Sequence, residues 1–237
     1  MTKHILMLAS NPAISPVTGW PIGFWWAELS HAYIAFKNAG YEITLASPDG
    51  GDLEADGWSD PQHESGYSAH DVISLGFKLS PLTAPIIKGT PAIGTLNMDE
   101  YDAIFVVGGQ GPMVTMIDNT AVHKIIAAFH GKGKITAAVC HGTCVLLKAA
   151  DENGDLLVKG KTWTGFSNSE ERYAEHAAGI KIQPFWIESE AREIEDSNFI
   201  TGGLLAEFSV RDGNLITGQQ QVSSAAAARK VIEALGK

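Results

Sequence analysis

A chain of 237 residues, 45% hydrophobic and 19% charged, has the composition of a globular protein with a sizeable core and excludes a disordered polymer. Its 17 basic against 27 acidic residues leave a net charge of −10, which argues against nucleic acid and against anionic membrane surfaces as partners. Two cysteines, Cys140 and Cys144, are too few for a disulfide framework and point to a reduced, cytoplasmic setting.

The first apolar run, His4 to Ala9, reads as a strand and is too short for a secretory leader. Residues 5–27 carry no charge, but Pro12, Pro16 and Pro21 interrupt them, so no membrane span is expected. A helix follows and ends near Gly40. Trp25, Leu29, Ala32 and Phe36 recur on its buried face. Glu28 lies beside that stripe. As a helix-edge acid it is expected to be solvated; if buried it would stay protonated and could serve a thiolate or move a proton. Glu42 to Ala46 is the second strand. The stretch from Pro48 to Met98 is irregular and rich in Gly, Pro, Asp and Ser. It is expected to be a lid or a dimer surface, with one short helix near Ser68 to Ser74.

Ala103 to Val107 is a strongly apolar strand that ends in Gly108-Gly109-Gln110-Gly111. This lacks the pattern of a phosphate-binding loop. The amide of Gly109 or Gln110, with that of His141, could instead form an oxyanion hole. A helix at Thr120 to His130 leads to the strand Ile135 to Val139. That strand runs directly into Cys140-His141-Gly142, with Thr143 to Ala150 expected to be helical. Small residues two places before and after Cys140, Ala138 and Gly142, give the spacing of a nucleophile elbow at a sharp strand-to-helix turn. The helix start behind the sulfur would favour the thiolate. Cys144 reads as packing.

Thr162 to Gly165 reads as a strand and Glu170 to Ala178 as a helix, and Glu170 or Glu171 could orient His141 as the acid of a Cys-His-acid triad. Phe208 to Val210 and Leu215 to Thr217 flank Asp212-Gly213 as a hairpin, and Ser223 to Leu235 closes the chain as an Ala-rich helix. Strands alternating with helices predict an α/β fold with a mostly parallel central sheet. No composition break divides residues 1–237. No HExxH and no Cys/His ligand spacing occurs, so neither a metal nor another cofactor is expected.

Gly108-Gly109-Gln110-Gly111, Ala138-Val139-Cys140-His141-Gly142, Thr164-Gly165-Phe166 and Asp212-Gly213-Asn214-Leu215-Ile216-Thr217-Gly218 together resemble the ThiJ/PfpI superfamily. The early Glu28, the long stretch after the second strand and the Glu170-Glu171 pair resemble its yeast-type heat-shock chaperone and glyoxalase III branch. The resemblance implies a flavodoxin-like sandwich with helices on both faces, and a homodimer. It implies Cys140 as nucleophile, His141 as its partner, Glu28 as the carboxyl at the sulfur, and Glu171, five places after Phe166, as the triad acid. Gln110 stands where many relatives carry His, and Gln219-Gln220-Gln221 replaces a common Asn-Pro pair. The implied activity is cofactor-free conversion of methylglyoxal and related 2-oxoaldehydes to 2-hydroxy acids, with protein deglycation beside it. A cysteine hydrolase or amidase, and a stress holdase or redox sensor using Cys140, are the alternatives.

Overall fold

The computed structural model describes residues 2–237. The chain runs β1 (His4–Leu8), β2 (Ala13–Ile14), β3 (Pro21–Ile22), α1 (Trp26–Asn38), β4 (Glu42–Ala46), α2 (Val72–Leu79), β5 (Ala103–Val106), α3 (Pro112–Thr115), α4 (Thr120–Gly131) and β6 (Ile135–Val139). It continues through β7 (Thr162–Trp163), α5 (Asn168–Ala178), α6 (Ile187–Arg192), β8 (Asn198–Phe199), β9 (Ser209–Asp212), β10 (Leu215–Gly218) and α7 (Ser224–Ala234).

Six strands form one sheet in the order β4-β1-β5-β6-β10-β9, parallel except for the β9 edge. The middle strands explain their own sequences. Every residue of β5 and β6 is buried, because helices cover both faces, and a strand buried on both faces must be apolar throughout. Helices α1 and α7 pack together as one layer, and α4 lies against β5 and β6 as part of the other. The expected doubly covered, mostly parallel sheet is present.

Three local expectations need correction. The short helix expected at Ser68 to Ser74 runs instead from Val72 to Leu79. Asp71 caps it by accepting the Ser74 amide at 3.0 Å, and Pro81 follows its end. Thr162 to Gly165 forms only the two residues of β7, which pair with β8 outside the main sheet. Cys140–Leu147 is a 3-10 helix rather than an α-helix beginning at Thr143. The Thr143 hydroxyl donates to the Cys140 carbonyl at 2.6 Å and tightens the first turn.

Residues 48–98 are irregular but pinned to the body. Phe24 N donates to the Glu54 carbonyl at 3.1 Å and Asp56 N donates to the Phe24 carbonyl at 2.8 Å. Ser74 meets Ser30 of α1 through their hydroxyls, and Phe77 packs edge-on against Tyr33. One side of the stretch supplies Asp56, Trp58 and Tyr67 to the region around Cys140, while Val72, Leu79 and Leu82 are exposed. No helix among the described residues is long and apolar enough to cross a membrane.

Candidate active site

The carboxyl ends of β5 and β6 lie side by side, where open α/β sheets place their ligands. Strand β6 ends at Val139, and Cys140 follows with φ 57°, a left-handed conformation rare for a side chain with a Cβ. The turn is crowded. A methyl group at Gly142 would lie 2.9 Å from the Val107 carbonyl oxygen, and one at Gly108 would meet Glu28 Oε2 and come within 2.7 Å of the Val139 carbonyl oxygen. Only glycine fits at either place.

His141 Nδ1 lies 3.4 Å from Cys140 Sγ, and its Nε2 lies 2.8 Å from Glu171 Oε1. The imidazole stacks on Phe166, with ring centroids 4.1 Å apart. Glu171 accepts from Nε2–H in the tautomer that leaves Nδ1 bare, so Nδ1 faces the thiol as an acceptor. Of the two adjacent acids, His141 meets Glu171. Glu170 closes the N-terminal capping box of α5 instead, accepting from Ser167 through Oε2 and from Leu205 N and Gln219 Nε2 through Oε1.

Glu28 is not the solvated acid expected from its helix position. It is fully buried in the first turn of α1 and accepts the Gly108 amide through Oε2 at 2.8 Å. Its Oε1 has no hydrogen-bond partner among the described residues. Burial pushes its pKa to about 8, partly offset by its interaction with the Cys140 thiol and by the Gly108 amide, so it is mostly protonated at neutral pH. The expected depression of the Cys140 thiol is also corrected. Burial first, and then the Glu28 charge, hold it well above the ordinary thiol range. The His141 amide acts in the other direction and does not outweigh them. Cys144 is buried and its thiol is pushed up by burial, as a packing residue requires.

The Gln110 amide is already engaged: it donates to Asp56 Oδ2 at 2.6 Å and is not available to a substrate oxygen. The Gly109 amide has no acceptor among the described residues. The Gln110 side chain lines the cavity, and its Oε1 is buried without a partner. That cavity, about 60 Å³, reaches Cys140 and His141 and is walled by Trp25, Tyr67, Phe166 and Ile182. Trp58 stacks on Tyr67 at 6.0 Å, and Trp25 meets Tyr67 edge-on. Glu170 and Glu171 line it, and no Lys or Arg among the described residues does.

Asp56, Trp58 and Tyr67 escaped the sequence reading. The two aromatics in a Gly- and Asp-rich stretch were the signal available for that stretch; Asp56 carried none.

A family model described as DJ-1/PfpI matches residues 23–234. The chain belongs to the DJ-1/PfpI family. Among DJ-1/PfpI proteins it is 28% identical to "Glyoxalase 3" of Candida albicans over 99% of this chain and 98% of that one. It is 25% identical to "Glutathione-independent glyoxalase HSP31" of Saccharomyces cerevisiae over 98% of each. The crystal structure of Rapid Encystment Protein 24 kDa from Francisella tularensis superposes over all of both chains, with a TM-score of 0.88 at 25% identity.

Proposed function

We propose that this protein is a cofactor-independent glyoxalase, which converts a small 2-oxoaldehyde such as methylglyoxal to the 2-hydroxy acid. The observation that carries the reading is the chain Cys140–His141–Glu171, with protonated Glu28 beside the sulfur, at the end of a small aromatic-walled cavity. The similarity to the Candida and Saccharomyces glyoxalases over nearly whole chains supports it.

In the proposed sequence the Cys140 proton passes to His141 Nδ1 as sulfur attacks the aldehyde carbon. Glu171 steadies the imidazolium. The oxygen of the hemithioacetal takes charge near the Gly109 and His141 amides and is then protonated by His141. Neutral His141 removes the hydrogen from the former aldehyde carbon, while Glu28 protonates the neighbouring ketone oxygen, giving an enediol. Return of the proton from His141 to that second carbon, with the first carbon's hydroxyl proton passing to Glu28, leaves a 2-hydroxy thioester and restores both residues. Water hydrolyses it, releasing Cys140 and the acid. One carbon is oxidised and its neighbour reduced, so no external electron carrier is needed. The raised resting pKa of Cys140 fits this order, because thiol deprotonation is coupled to attack.

The test is lactate formation from methylglyoxal without glutathione, in wild type and Cys140→Ala. Turnover in the wild type alone is expected. Equal inactivity of both on a panel of 2-oxoaldehydes would end the reading.

A further inference from the structure

The turn after β5 has four amides in a row, and three are taken. Gly108 N donates to Glu28 Oε2 at 2.8 Å, Gln110 N to Asp56 Oδ2 at 2.6 Å, and Gly111 N to the Gly23 carbonyl at 2.8 Å. Gly109 N alone has no acceptor among the described residues. The second oxygen of Asp56 accepts Gly23 N at 3.0 Å, so one carboxylate ties the turn to the segment that enters α1. Its own backbone is held as well: Asp56 N donates to the Phe24 carbonyl at 2.8 Å, and the Ser59 hydroxyl donates to the Asp56 carbonyl at 2.6 Å.

We propose that Asp56 is a positioning residue for the oxyanion-holding turn: it fixes the Gly23 and Gln110 amides so that the Gly109 N–H is left, rigidly placed, for the substrate oxygen. The proposal rests on the glyoxalase reading of the same site.

Asp56 is 1% exposed and makes no salt bridge among the described residues. A buried acid without a cation is costly, and burial pushes this one to about 7. A cheaper residue would serve if filling space were the only need. Two backbone N–H groups from separate segments, however, require two acceptor atoms on one short side chain. Asparagine supplies one and turns an N–H against the other donor. Gly109 has φ 107°, and a methyl group there would lie 2.5 Å from the Gly23 carbonyl oxygen. The turn is therefore seated directly on the segment that Asp56 clamps, and a small shift of either moves the Gly109 amide.

The test uses full-length Asp56→Asn and Asp56→Ser, with three readouts: kcat and KM for methylglyoxal, the rate of Cys140 alkylation by iodoacetamide, and the melting temperature. Alkylation displaces iodide and builds no charge on a carbonyl oxygen, so it reports the nucleophile without the turn. The expected result is a kcat lower by about 10- to 100-fold with KM changed less than about threefold. Alkylation should stay within about twofold of wild type in at least one variant that remains folded. A kcat near the wild-type value overturns the proposal. So does alkylation falling in step with kcat, and so does loss of the fold in both variants, which would make Asp56 structural. Absence of wild-type turnover overturns the glyoxalase reading and this proposal with it, an outcome distinct from wild-type turnover that survives both substitutions.

Discussion

Glu28 and Cys140 are two acids in one dry place, and their environment sets which holds the proton. Burial raises both, and at neutral pH Glu28 with its pKa of about 8 still carries its hydrogen. If the protonated acid is the working form, kcat should fall as pH rises through about 8, and Glu28→Gln should remove that limb while lowering kcat on the order of 100-fold. A pH–rate series on both proteins checks this. The two neighbouring glutamates should separate just as clearly. Glu171→Gln replaces the carboxylate that steadies the His141 imidazolium with an uncharged amide and should lower kcat about 100-fold with little change in stability. Glu170→Gln disturbs an acid that accepts from Ser167, Leu205 and Gln219, and should cost about 1–3 kcal/mol in urea unfolding. Cys140 and His141 were legible in the sequence because the elbow is local; the residues alone left Glu170 and Glu171 open, and only the family resemblance favoured Glu171. Glu28 was misread by helix position alone, since its burial depends on Gly108, eighty residues away. Asp56 was invisible for the same reason.

At the scale of elements, the strands were the most legible. Ile135–Val139 was bounded to the residue, because a strand buried on both faces is an unbroken apolar run with a break at each end. The 3-10 helix at Cys140 was not legible. It follows from Thr143 bonding back to the Cys140 carbonyl and from β5 crowding Gly142, neither of which is a propensity. The start of α2 was missed because Asp71, its cap, also bonds His31 of α1, a contact made only in the folded chain. The crowding at the ends of β5 and β6 gives a direct prediction. Gly108→Ala pushes a methyl group against Glu28 and the Val139 carbonyl, so it should cost about 1–3 kcal/mol or more and lower turnover. Gly94→Ala, where a methyl group meets nothing within 4 Å and the backbone, like that of Gly108, is not left-handed, serves as the control for adding a methyl group without crowding. Chemical denaturation of both variants checks it.

The whole molecule carries a pH signature set by its buried acids. Glu28 and Asp56 hold protons in the folded state up to about 8 and about 7, whereas the ordinary values are 4.5 and 3.8. Between those limits the folded chain binds more protons than the unfolded one. Stability is therefore greatest toward the acid side of this window and is lost as pH rises through 7 and 8. The net charge of −10 acts in the same direction, because self-repulsion grows as acids ionise. Melting temperatures at pH 5.5, 7.0 and 8.5 should fall in that order. The Glu28→Gln/Asp56→Asn double variant should show a flatter trend.

The cavity that receives the aldehyde has carboxyls in its wall and no Lys or Arg among the described residues. On the glyoxalase reading an uncharged molecule enters and a negative one is made. The electrostatics of the wall then act as an exit drive, pressing out each product as its carboxylate forms. The 2-hydroxy acid should be a poor inhibitor, with an inhibition constant well above the KM for the aldehyde, and turnover should run on as product accumulates.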